Sequence, residues 1–134
     1  MKLSTRSRYG TRILLELARH STDTPLQVSA IAKRQKIPIK YLEQLIRTLK
    51  ADGLVKSTRG AKGGHQLNQP PGSITLGRIV RLFEGQTDLV ECVSEPRKCS
   101  RSHECPVRTA WVEATDALYQ RLDKVSIQDL LRQE

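Results

Sequence analysis

Between residues 26 and 68 two short helical patterns are followed by a glycine-tipped hairpin pattern, an order that leaves few folds open. Residues 26–34 put Val28, Ile31 and Ala32 at helical spacing. Gln35, Lys36, Ile37 and Pro38 form a break, and the fixed φ of Pro38 suits the first turn of a new helix. The spacing predicts that helix over residues 39–51. Leu42, Leu45, Ile46 and Leu49 form its apolar stripe, and Lys40, Tyr41, Glu43, Gln44, Arg47 and Lys50 its hydrogen-bonding face. Asp52 and Gly53 end it, because glycine readily takes the left-handed conformation that follows a helix end. Residues 54–57 and 65–68 then read as paired strands around a tip holding Arg59, Gly60, Lys62, Gly63 and Gly64. The predicted fold class is mostly α with a small β-wing: a winged helix-turn-helix.

Charge agrees with that placement. Residues 1–75 hold 14 Lys or Arg against 4 Asp or Glu, whereas residues 76–134 hold 9 against 10. A basic excess confined to one half is an electrostatic footprint for a polyanion. Double-stranded DNA is therefore the predicted partner, read by Lys40, Tyr41, Glu43, Gln44 and Arg47 of the second helix and by Arg59 and Lys62 of the wing.

The chain of 134 residues is long enough for one compact domain with a modest core. With a single Phe, a single Trp and three Tyr, that core must rest on Leu, Ile and Val. No apolar run approaches a membrane span and no apolar leader opens the chain, so no membrane partner is expected and the cytoplasm is the expected compartment. No Ser/His/Asp set, carboxylate pair or Lys-bearing phosphate loop is present, so an enzyme is not expected.

Around the central block, residues 4–20 read as an amphipathic helix with Tyr9, Ile13, Leu14 and Leu17 on one side, and residues 21–25 as a polar connector. A further helix is predicted from 74 or 75 to 84, closed by Gly85. Residues 86–105 show no sustained period and read as a loop. From 106 to about 123 Val107, Ala110, Trp111, Ala114, Ala117, Leu118 and Leu122 form a long apolar stripe, and Ser126 opens a final helix over 127–132. A winged unit leaves such a stripe little core to cover; it could pack back onto the N-terminal helix, but a two-fold homodimer is the expected use. Three segments result: 1–85, the winged helix-turn-helix; 86–105, the cysteine loop; and 106–134, the dimerisation helix and the C-terminal helix.

Every cysteine lies in that loop: Cys92, Cys99 and Cys105, in a C-x6-C-x5-C pattern. Zinc sites favour shorter pairs and four ligands. Thiolates are soft ligands suited to an iron–sulfur cluster, and Arg97, Lys98 and Arg101 favour the thiolate form. A bare thiol redox sensor and a structural zinc module are the alternatives the spacing leaves.

Several motifs extend the match beyond the central block: the opening residues 1–10, Tyr41 to Leu45, Gly53 to Gly64, Ile74 to Val80, Glu84 with Gly85, and the cysteine loop. Together they resemble the bacterial winged-helix transcription regulators of the IscR/NsrR/CymR family over nearly the whole chain. The resemblance implies a homodimer that binds promoter operators, with repression the expected outcome. It also implies that Cys92, Cys99 and Cys105 hold a cluster reporting redox state, nitric oxide or iron and iron–sulfur status. Cysteine-free relatives respond instead to a protein partner. The positions where relatives carry a fourth ligand, a histidine after the last cysteine or an acid near the N-terminus, are Arg108 and Arg8 here, and the first cysteine gap is one residue longer. Within the loop His103 or Glu104 could serve as the fourth ligand, a small molecule or a residue of the partner subunit being equally open, and [4Fe–4S] is favoured over [2Fe–2S].

Overall fold

The computed structural model describes residues 2–20, 23–85 and 88–134. Met1 of the opening motif, Ser21 and Thr22 of the connector, and Gln86 and Thr87 of the cysteine segment lie outside the described residues. Helix α1, Thr5–Arg19, buries Ile13, Leu14 and Leu17. Glu84 secures its start: Oε1 accepts hydrogen bonds from the Ser4 backbone N (2.8 Å), the Ser4 hydroxyl (2.6 Å) and the Ser7 hydroxyl (2.6 Å). The two hydroxyl bonds, that of Ser4 first, hold the carboxyl below its ordinary pKa.

Helix α2, Val28–Gln35, begins two residues later than the pattern predicts. The reason is a tertiary pairing: Leu26 forms an antiparallel bridge with His65, N to O at 2.9 Å one way and 2.8 Å the other. Lys36 follows in the left-handed region (φ 55°, ψ 46°), a strained conformation for a side chain with a Cβ. Arg12 of α1 braces this turn by donating to the Gln35 side-chain and backbone oxygens, each at 2.7 Å. Helix α3, Ile39–Ala51, has the predicted bounds and buries Leu42, Leu45, Ile46 and Leu49 against α1 and α2.

Strands β1, Val55–Thr58, and β2, Gly64–Leu67, pair antiparallel, with Val55 opposite Leu67 and Thr58 opposite Gly64. Each lies one residue from its predicted place, since the register that sets Val55 opposite Leu67 carries the pairing on to Thr58 and Gly64. Gly64 (φ 147°) lies so close to the Leu26 carbonyl that a Cβ there would collide with it, so the bridge between wing and α2 requires glycine.

Helix α4, Leu76–Glu84, is capped by Thr75, whose hydroxyl accepts from Arg78 N at 3.2 Å. The segment predicted to be a loop contains a four-residue helix α5, Glu91–Ser94, and a single 3₁₀ turn, Pro96–Lys98. Turns this short leave no period to detect. Helix α6, Pro106–Asp123, spans the predicted residues and packs on α4 and α5. Arg81 of α4 binds the Asp123 carboxylate through two bonds (2.6 and 3.0 Å) and lies over the Tyr119 ring at 4.6 Å.

Helix α7, Ile127–Leu131, opens with a capping box of Ser126 and Asp129 and packs against α1. Ile127 is fully buried in the core that also holds Ile13, Ile74 and Ile79. Backbone bonds from Leu76 N to Val125 O (2.8 Å) and from Ile127 N to Ile74 O (2.9 Å) stitch it there. Thus α7 joins the core of the winged unit. Among the described residues no helix is long and apolar enough to cross a membrane.

Candidate nucleic-acid interface and cysteine loop

Burial of one α3 stripe leaves Lys40, Glu43, Gln44 and Arg47 exposed on the rest of the helix. Tyr41 differs: it is half-buried, and its ring meets that of Tyr9 edge-on at 6.0 Å. The apolar side of α1 therefore takes part of a residue that periodicity assigns wholly to the polar face. Arg59 and Lys62 are exposed at the wing tip.

Between α3, the start of α2 and the wing lies a cleft of about 260 Å³, lined by Val28, Glu43, Ile46, Arg47, Lys50 and His65. Strand pairing delivers His65 to this cleft, a placement no sequence spacing reveals. Its Nδ1 lies 2.7 Å from the Ser57 hydroxyl on the facing strand. Burial, and then the Lys50 ammonium, push the His65 pKa below its ordinary value against the opposing pull of Glu43. Chemically the cleft pairs one hydrogen-bond-accepting carboxylate with two cations. Such a set can contact both phosphates and base edges.

The cysteine segment is built differently. All three thiols are free, with Cys99 exposed and Cys92 and Cys105 half-buried. Lys98 ties the segment to itself through ion pairs with Glu91 (2.5 Å) and Glu95 (2.9 Å). Arg108, on the first turns of α6, reaches back to donate to the carbonyls of Cys92 (2.9 Å) and Val93 (3.5 Å). His103 is exposed. Among the described residues no three His, Cys, Asp or Glu side chains converge as a metal site. The donor chemistry suits iron, then, while this arrangement leaves the donors apart. The Ser102 hydroxyl, between Cys99 and Cys105, is buried without a hydrogen-bond partner.

Helix α6 keeps an apolar face in the open. Val107 is 52% exposed and Trp111 41% exposed, with Ala110, Ala114 and Ala117 also exposed nearby. Beside it Leu3, Thr11, Leu76, Val80 and Leu122 line a largely apolar groove of about 330 Å³.

The comparisons with known proteins agree with this architecture. The Rrf2 family model, described as an iron-dependent transcriptional regulator, matches residues 3–133. Protein Rrf2 of Nitratidesulfovibrio vulgaris is 46% identical over 132 residues, covering 98% of this chain and 88% of the relative. The structure of CymR, the global cysteine regulator of Bacillus subtilis, superposes with a TM-score of 0.85 at 37% identity, covering 100% of this chain and 98% of that one. The structure of T. potens IscR gives a TM-score of 0.80 at 32% identity, covering 99% and 88%. These relatives are transcriptional regulators, not enzymes, and share the winged-helix architecture. The chain belongs to the Rrf2 family of DNA-binding transcriptional regulators.

Proposed function

We propose that this regulator binds promoter operators as a homodimer, and that an iron–sulfur cluster held by Cys92, Cys99 and Cys105 controls its affinity. The observation carrying this reading is the position of three free thiols on the segment between the winged unit and α6. When bound, a cluster supplies iron that responds to oxidants, nitric oxide or iron supply. The chain's part is mechanical. Drawing three thiolates together fixes residues 91–105, and Arg108 transmits the new position of the Cys92 carbonyl to α6. Helix α6 sets the separation of the two recognition helices, and half-site spacing is geometric. Three thiolates from the protein, with the fourth position left to an exchangeable ligand, make [4Fe–4S] the favoured cluster in this reading.

In the same reading α3 enters the major groove, with Lys40, Tyr41, Glu43, Gln44 and Arg47 near bases or phosphates. Arg59 and Lys62 carry the wing to a neighbouring groove. The dimer uses Trp111, Ala114, Leu118 and Leu122. An antiparallel two-fold pairing centred between residues 114 and 115 sets Trp111 of one copy against Leu118 of the other. It sets Val107 against Leu122, at the mouth of the apolar groove. The divisions in this reading are a winged unit over 1–85, a sensing segment over 86–105, and over 106–134 a dimerisation helix followed by α7, which docks on the winged unit. A cytoplasmic repressor is the corresponding cellular role.

A thiol- or partner-responsive repressor without a cluster is the second reading, favoured by the lack of a converged ligand set among the described residues. Anaerobic reconstitution with iron and sulfide separates the two. The cluster reading expects a coloured protein that loses iron when any of the three cysteines is replaced by alanine, and an operator affinity that differs between loaded and unloaded forms. Full iron content in all three variants, or equal affinity of the two forms, overturns the cysteine-held sensing cluster, and a colourless wild-type protein that takes up no iron establishes the second reading in its place.

A further inference from the structure

Among the described residues the large apolar side chains left exposed are Leu3, Ile39, Val107 and Trp111. Val107 and Trp111 lie on the open stripe of α6, and Leu3 lines the groove beside it. Ile39 has no such surroundings. It is the first residue of α3, 48% exposed, and the side chains next to it on the open surface of that helix are Lys40 and Glu43. The position carries a cost in the free protein, apolar surface left in water, and that cost is offset if a ligand covers the side chain.

We infer that Ile39 is a specificity-determining residue that packs on the 5-methyl group of a thymine in the operator. This rests on the reading of α3 as the recognition helix. The first turn of such a helix is the part that meets base edges. Along the major groove the base edges present donors and acceptors, and the apolar feature among them is the thymine methyl. A partly exposed isoleucine flanked by charged groups therefore matches one base and mismatches the other three. Glu43 lies four residues further along the same flank, about 6 Å away along the axis. The thymine should consequently lie within one or two base pairs of the base that Glu43 faces.

The test starts from a duplex selected out of a random pool by the full-length wild-type protein, in whichever of the loaded or unloaded forms binds more tightly. Each thymine in turn is replaced by deoxyuridine, which removes the methyl and keeps every donor and acceptor. Wild type should lose about fourfold in affinity at one thymine per half-site, the worth of one buried methyl group. Ile39→Ala should lose nothing further at that same position, with Ile39→Val intermediate. Equal losses for wild type and Ile39→Ala at every position, or no loss anywhere in wild type, overturn the assignment. Equal wild-type binding to selected and scrambled duplexes at one salt concentration overturns the DNA-reading proposal as well, so the two failures are distinguishable.

Discussion

Leu42 of α3 and Leu118 of α6 are the same side chain on two amphipathic helices, and they meet opposite surroundings. Leu42 is fully buried between α1 and α2, whereas Leu118 is half-exposed beside Val107 and Trp111 in the open. The winged unit completes its core within one chain, even recruiting Ile127 from the far end of the sequence. Helix α6 is held by the Arg81–Asp123 pair at one end, where Leu122 also shares a groove with Leu76 and Val80, and by the Arg108 grip on the cysteine segment at the other. A region that closes its own core sets stability, and one that leaves a face open is suited to assembly and response.

The largest effects should separate those regions by the kind of loss. Leu42→Ala should cost about 2–5 kcal/mol of stability, measured by urea unfolding, because it opens a cavity in a closed core. Cys99→Ala in cluster-free protein should change stability by less than about 0.5 kcal/mol, since the side chain is exposed. Comparable costs for the two would erase the distinction. Leu118→Asp should instead leave the fold of each chain intact and bury an unpaired charge at the two-fold contact. Sedimentation should show monomer, and operator affinity should fall by about 100-fold or more as each half-site is held alone. A wild-type protein that is monomeric at micromolar concentration would defeat this assignment.

Smaller effects dissect the winged unit itself. Arg59→Ala should cost about 1–3 kcal/mol on selected sites, read by titration at fixed salt. Glu43→Ala should relax sequence preference while general affinity holds or rises. A carboxylate facing DNA is repelled by phosphates, and so is best explained as accepting from cytosine or excluding wrong sites. Uniform weakening across all sequences would remove that role from Glu43.

Legibility in the sequence followed the same divide. Pro38 with Gly53, and Pro106 with a long stripe, punctuate α3 and α6 strongly enough that both sets of bounds follow from local chemistry. Local chemistry fails where a distant partner decides. Leu26 leaves its helix for a bridge to His65, Tyr41 turns toward Tyr9, and α7 returns to a core begun by α1. The exposed residues of α3 proposed to face DNA were readable because a periodic helix exposes whatever its buried stripe leaves over. His65 was not, because a strand register carries it into the cleft. The cysteines were visible as donors, but the Lys98 and Arg108 contacts that hold their segment are ones residue spacing does not encode.

The smallest effect concerns His65 and tests whether the cleft between wing and α3 responds as one packed unit. Burial of the imidazole comes first, and the Lys50 ammonium second, in lowering its pKa below 6.5; Glu43 opposes them. The folded pKa is therefore the lower one, and as pH falls the unfolded chain takes up its proton first. Stability from this group is complete above about pH 6.5 and is lost as pH falls through the folded value. Acidification should thus weaken the wing while leaving its behaviour above neutrality unchanged. Hydrogen exchange at β1 and β2, together with thermal melts across that window, should show the loss, and His65→Asn should flatten that part of the stability curve. The Ser57 hydroxyl bond gives a second readout, since Ser57→Ala removes a partner of the ring without changing its burial by the helix. If His65→Asn titrated like wild type, the cleft would not be the origin of the pH response, and the contrast between a closed wing and an open α6 would lose its acid-sensitive part.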